Sequence, residues 1–268
     1  MMDKLVYALM FAVLLGGAAD AASLQATFPA PAGYARIAVA AESFAASVRS
    51  LTVLPDSVPV RYADGRICGT WPAGTRVVDL PFLFRADLEQ CTDMALRLFA
   101  EYAWARGSAD GLEFRLQNGQ RIAWREWRAG RRLRFDSAAH RHVVAPARAD
   151  SSRVEFEQFL HYLFLWTGSA ALKRDLQAVE AGDLLPGDLI VQNTTGAMGH
   201  VSVILDVAQD SSGHRLYLIG NGWTPAQSFF VRIARPDEGS DGWFTLAGYE
   251  NHLSVYGFGP FNFRRWQE

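Results

Sequence analysis

Cysteine and lysine are scarce in this chain of 268 residues: two of each, Cys68 and Cys91, Lys4 and Lys173. Two cysteines exclude a disulfide-dense scaffold and a thiolate-rich zinc site. The other 24 basic residues are arginine, a bias that carries no functional reading by itself. A surplus of one charge is also missing. With 26 bases against 28 acids and a pI near 6.3, the chain is not built to neutralise a polyanion, and no nucleic-acid partner is expected. Several catalytic signatures are absent as well: there is no G-x-S-x-G, no H-E-x-x-H, no phosphate-binding G-x-x-x-x-G-K-[ST], and no G-x-G-x-x-G between a strand and a helix. His140 and His142 stand two apart in an arginine-rich stretch without a thiol or carboxylate cluster, so neither a metal nor a cofactor is expected.

What is present is a globular composition, half hydrophobic and one fifth charged, long enough to bury a substantial core. Lys4 precedes an apolar run from Leu5 to Leu15 and a small-residue stretch reaching Ala22, the pattern of a secretory signal peptide. Ala19 and Ala21 place the cut after Ala21, giving a signal peptide over 1–21 and a periplasmic or secreted mature protein. No later run of about 18 apolar residues exists, so no transmembrane segment is expected after its removal. In an exported protein a Cys68 to Cys91 disulfide is the first hypothesis for the pair.

Periodicity predicts helices over 42–54, from Cys91 to Gly107, over 152–166, and from a Ser169 cap through Val179. Short β-rich runs are expected at 58–62, 77–80, 189–191, 201–207, 216–219 and 229–233. Asn118-Gly119 between 112–116 and 120–124 signals a hairpin, because both residues tolerate positive φ. Seven arginines between 121 and 141, interleaved with Trp124 and Trp127, read as a solvated loop, with an anionic-ligand groove as the less favoured alternative. No linker or repeat interrupts the chain. The expectation is one α+β domain over 28–268, with helices packed on an antiparallel sheet.

The residues able to carry chemistry are Cys91, at the front of the longest helical stretch, and His200, at the head of a strand. Alternation sends Val201, Val203 and Leu205 to one side and His200, Ser202 and Ile204 to the other, from which His200 is expected to look across at the helix N-terminus. A helix end and a nearby base are what convert a thiol to a thiolate. Asn221, one strand later, is placed to orient the imidazole, and the backbone N–H groups at the helix start to receive an oxyanion. Trp223 is a candidate wall of a substrate cleft. Other readings stand beside this one: Cys91 as a disulfide partner of Cys68 or an inert buried thiol, His200 as a bonded strand-end histidine, and Asn221 as a turn residue. Asp87 and Gln90 have capping-box spacing, which would start the helix a turn before Cys91.

Gln90-Cys91-Thr92 at a helix start, then 186–191 (Pro-Gly-Asp-Leu-Ile-Val), then Gly199-His200 leading a strand, resembles the cysteine- and histidine-dependent amidohydrolase/peptidases and their NlpC-type relatives, papain-like cell-wall hydrolases. A longer resemblance, through Gly33-Tyr34, Asp87 to Asp93, Gly187-Asp188, Gly199-His200 and Thr224 to Gln227, is to an uncharacterised family of exported bacterial proteins whose domain has no assigned function. The first resemblance implies a papain-like fold, with Cys91 as nucleophile, His200 as base, Asn221 as third polar residue, Gln90 assisting the oxyanion, and a peptidoglycan peptide or other envelope amide as substrate. It also makes the 108 residues between Cys91 and His200 longer than in compact relatives, so that 112–180 becomes an inserted hairpin and helices. The alternative is a catalytically silent envelope binding or scaffolding module with the two cysteines joined.

Overall fold

The computed structural model describes residues 21–69, 71–72, 74–194 and 198–268. The expected signal peptide, apart from Ala21, lies outside them.

Ten short and medium strands among the described residues pair antiparallel into one sheet: β1 (Tyr34–Arg36), β2 (Arg76–Val77), β3 (Gln177–Ala178), β4 (Leu189–Gln192), β5 (His200–Asp210), β6 (Arg215–Asn221), β7 (Phe230–Arg232), β8 (Gly239–Ser240), β9 (Trp243–Phe244) and β10 (Phe261–Arg265). The main path runs β8-β9-β6-β5-β4-β10-β3, with β7 joining β6 to β2 and β1 laid against the far end of β5. Among the described residues five helices have six residues or more: α1 (Phe44–Arg49), α2 (Cys91–Ala105), α3 (Arg153–Trp166), α4 (Ser169–Asp175) and α5 (Leu246–Ser254).

The sheet has two unlike faces. Val201, Val203 and Leu205 of β5 join α2 and α3 in a large apolar core, with Met94, Leu98, Phe156, Phe159 and Leu163. Ile190, Ile204 and Ile219 on the other face pack with Tyr249 and Leu253 of α5. Removing each such aliphatic side chain from water stabilises the fold by about 1.5–3 kcal/mol. Strict alternation stops at a bulge, where the register moves from Ile204–Ile219 to Asp206–Leu218. The extra residue puts Leu205 and Asp206 on the same face. There the buried Asp206 carboxylate takes Arg36 Nε at 2.6 Å and Arg49 Nε at 2.7 Å, which ties β1 and α1 to the middle strand.

The hairpin around Asn118-Gly119 forms as the sequence predicts, pairing Glu113–Arg115 with Arg121–Ala123. The arginine-rich stretch is not a loop, and this corrects the sequence reading. It contains a helical turn, Trp124–Arg128, and a second hairpin, Arg131–Asp136 with Arg141–Pro146. Six of its seven arginines reach carboxylates, including Arg121 to Glu113 and Glu126, Arg128 to Asp110 and Arg132 to Glu155. Cations already paired with acids are poor material for an anion groove. Two helices are shorter than periodicity suggested. The first covers Phe44–Arg49, and α4 stops at Asp175 because Gln177 and Ala178 pair with Arg265 and Arg264 at the sheet edge.

Segment 112–180 packs into the main core. Its Trp124, Phe156 and Phe159 belong to the main core, and Trp124 and Phe156 meet Trp104 near the end of α2. Thirteen residues of helix, about 20 Å, separate that contact from Cys91.

Candidate active site

Gln90 is the N-cap of α2, with an extended backbone (φ −85°, ψ −166°), and its N–H donates to Asp93 Oδ2 at 3.0 Å. Cys91 is therefore the first helical residue, where a backbone N–H has no partner inside the helix. Asp87 does not start the helix. Its Oδ1 instead accepts from Gln90 Nε2 (3.0 Å) and Ala226 N (2.6 Å). With Thr224 Oγ1 donating to Gln90 Oε1 at 3.0 Å, this fastens the 224–227 loop to the helix entrance. Both polar ends of the Gln90 side chain are thus engaged within the chain.

The Cys91 sulfur is buried and lies within hydrogen-bonding reach of the Val201 N–H, one residue beyond His200. Burial pushes the thiol pKa up and the Asp93 carboxylate adds to this; the Val201 N–H and Thr92 oppose it less strongly. The resting group is a thiol. Cys91 and Cys68 are not joined. Cys68 sits instead with Val60, Val77 and Phe230 in a separate cluster, so the expected disulfide does not form.

His200 is 2 % exposed. Its Nε2 is 2.7 Å from Asn221 Oδ1, the pairing the sequence suggested. Ser202 stands directly across from Asn221 in the β5–β6 register, and its hydroxyl lies 2.7 Å from the Tyr249 hydroxyl, to which Asn221 Nδ2 donates at 3.1 Å. Four buried polar side chains therefore satisfy one another. Phe258 stacks on the imidazole and Trp223 meets it edge-on, each with ring centres at 4.9 Å. Burial pulls the His200 pKa down to about 4, Arg232 pulls the same way, and the Asn221 bond opposes them. With an amide oxygen as partner, Nε2 carries the proton and Nδ1 keeps its lone pair.

The two faces of the strand have different neighbours. Alternation does separate His200 from Val201, but α2 packs on the Val201 face, while His200 belongs with Ser202, Asn221 and Tyr249 to the face of α5. No hydrogen bond joins the imidazole to Cys91, whose sulfur meets the strand through Val201. What holds the two elements together is a glycine. A Cβ on Gly222, next to Asn221, would lie 3.0–3.1 Å from Gln90 O, Met94 Cγ and Cys91 Cα.

Gly187-Asp188 has a structural task. Gly187 has φ +90°, and a Cβ there would meet the Phe44 ring at 2.7 Å. Asp188 accepts two bonds from Arg265 (2.7 and 2.6 Å) and one from Leu185 N (2.8 Å).

The sequence did not point to Ser202 and Tyr249, nor to a second buried chain beside them. In that chain Arg232 Nε donates to His252 Nε2 at 2.7 Å, and His252 Nδ1 is 2.7 Å from Glu238 Oε1. The Arg232 guanidinium lies over Trp71, Trp223 and Tyr256. No local spacing announces these contacts, which join β7, α5 and a loop. A separate apolar pocket of about 250 Å³, walled by Phe44, Val48, Leu80, Phe82 and Trp104, contains none of the candidate residues.

Comparison with known proteins leaves the chemistry open: no curated protein and no solved structure matches the chain. A family model described as domain of unknown function (4846) matches residues 24–265, nearly the whole described chain, and to that family the protein belongs.

Proposed function

We propose that the protein is an exported cysteine hydrolase of papain-like architecture that cleaves peptide or amide bonds of the cell envelope. Cys91 is the nucleophile, His200 the base and Asn221 the residue that orients it. The observation that carries this reading is the His200 to Asn221 bond, 2.7 Å from Nε2 to Oδ1. It sets the tautomer that leaves Nδ1 as acceptor, one residue from the strand N–H against which the Cys91 sulfur rests.

The pair starts neutral, because burial raises the thiol and lowers the imidazole. On substrate binding the sulfur moves from the Val201 N–H to His200 Nδ1 and gives up its proton there. The thiolate then attacks the carbonyl carbon. The oxyanion is received by the N–H of Cys91 at the helix start, which has no partner inside the helix. Collapse breaks the C–N bond, the leaving amine takes the proton from Nδ1, and an acyl-enzyme remains. Water, losing a proton to the same nitrogen, releases the acid. Trp223 and Phe258, which flank the imidazole, must part for the substrate to enter.

The test is a screen of purified mature protein against peptidoglycan peptides, with Cys91→Ala and His200→Ala variants. Amine release that vanishes in Cys91→Ala and nearly vanishes in His200→Ala supports the reading; release unchanged in Cys91→Ala sinks it. A second reading keeps the fold and drops the chemistry, making the chain an envelope binding module. Its support is the burial of Cys91 and the absence of a sulfur to imidazole bond, and it does without the disulfide.

A further inference from the structure

We propose that the pocket of about 330 Å³ lined by Trp71, Arg232, Asn251 and Tyr256 is a carboxylate-binding subsite, one indole ring away from His200. That the carboxylate belongs to a substrate rests on the hydrolase reading above; that the pocket takes a carboxylate does not.

Arg232 is the reason. It is 6 % exposed, and no ion pair reaches it among the described residues. Glu238, the acid at the end of its hydrogen-bond chain, is held by Arg235 at 2.5 Å and by His252 at 2.7 Å. His252 supplies no countercharge either. It accepts from Arg232 at Nε2 and so carries its proton on Nδ1, toward Glu238, as the neutral imidazole. Burial and the Arg232 charge both hold its pKa down. Arg232 Nη1 is buried with no hydrogen-bond partner among the described residues. Around the guanidinium stand the rings of Trp71 (4.8 Å), Trp223 (5.1 Å) and Tyr256 (6.0 Å), which offer π-faces but no acceptor in line with that N–H. A buried cation with an unused donor is costly unless something anionic completes it.

Arg232 is the cation of this pocket that no carboxylate touches among the described residues. Arg235, the other cation lining the pocket, is already paired with Glu238 and Asp237. A carboxylate gives Arg232 the kind of contact Arg235 already has, whereas a phosphate dianion brings more negative charge beside Glu238 and Asp237. A flat carboxylate also fits between aromatic faces and accepts from a guanidinium N–H in plane. The entrance is open, with Val255 80 % and Tyr256 45 % exposed.

Trp223 connects this pocket to the candidate active site. Its ring is 4.9 Å from that of His200 and 5.1 Å from the Arg232 carbon, so at most about 10 Å separates base from cation. An extended residue spans about 3.3–3.6 Å. A carboxylate on Arg232 therefore lies no more than about three residues from a carbonyl at His200, which selects short or branched peptides with a free acid. Binding also answers the Arg232 charge that lowers the His200 pKa, so the base strengthens when substrate is seated.

The experiment uses the mature Cys91→Ala protein, which cannot turn over, with binding read from the fluorescence of Trp71 and Trp223. The probes are acetyl-Ala-Ala with a free carboxylate, its C-terminal amide, acetyl-Glu-amide and inorganic phosphate. Saturable binding of at least one free acid, ten-fold or more tighter than the uncharged amide, is expected. Preference between the two acids tells a chain terminus from a side chain. Arg232→Gln, checked for folding by circular dichroism, is expected to erase the difference between acid and amide. Equal binding of acid and amide, tighter binding of phosphate, or no binding of either acid at millimolar concentration overturns the subsite. Because the acid and amide comparison is made without Arg232→Gln, it stands even if that variant does not fold. Acid binding in a protein whose wild type cleaves nothing would overturn the hydrolase reading and leave the subsite intact.

Discussion

The two faces of β5 do different work with the same backbone. On one face Val201, Val203 and Leu205 are sealed under α2 and contribute only packing. On the other, at the start of the strand, His200 and Ser202 are equally buried yet polar, and they survive there because Asn221 and Tyr249 satisfy them. A buried polar cluster costs stability unless each member is bonded. The face toward α2 is explained by burial alone, whereas the face toward α5 needs a further reason to exist. Cys91 meets the strand at the boundary between them.

The sharpest way to break this contrast is Cys91→Ala. Hydrolysis is expected to fall to background, measured by amine release, while urea unfolding stays near wild type because one small buried side chain replaces another. Leu205→Ala is expected to do the reverse, costing about 2–5 kcal/mol in urea unfolding with turnover intact. Next in size is a pH effect. The unfolded chain protonates His200 near 6.5 and the folded one only near 4, so between these values the unfolded state binds the extra proton. The stability that neutral His200 contributes is full above about pH 6.5 and is lost as pH falls toward 4, by roughly 3 kcal/mol. A His200→Asn variant is expected to lose that share of the acid sensitivity in unfolding measured from pH 7 to 4. An unchanged profile would mean that the imidazole charges freely. Smallest is Tyr249→Phe, which deprives Ser202 and Asn221 of one shared hydroxyl and is expected to cost roughly 1 kcal/mol.

The parts of the fold carried by short-range periodicity were legible. The helix beginning at Cys91, the one ending at Trp166 and the Asn118-Gly119 hairpin follow from spacing and turn chemistry. The second hairpin was hidden although Arg132-Leu133-Arg134-Phe135 alternates, because the density of charge read as a solvated loop; Arg131 and Arg132 are accommodated by Glu126 and Glu155, which sequence order does not link to them. The bulge at Leu205 left no mark at all, since Leu-Asp is as acceptable in a regular strand. At the candidate site the His200 and Asn221 pairing was readable, because both lie on adjacent strands at matching ends. The side of the sheet taken by α2 was not, for alternation says which residues share a face and not which face a helix will cover. Arg232, His252 and Glu238 were invisible for a similar reason: each is unremarkable locally, and their meaning lies in mutual distance.

Gly222 remains the point at which helix and sheet touch with nothing in between. A single methyl group placed there acts as a wedge, prying the first turn of α2 away from the end of β6 by tenths of an ångström while leaving the Cys91 and His200 side chains chemically untouched. The spacing between the first turn of α2 and the end of β6 is thus set by the absence of a side chain.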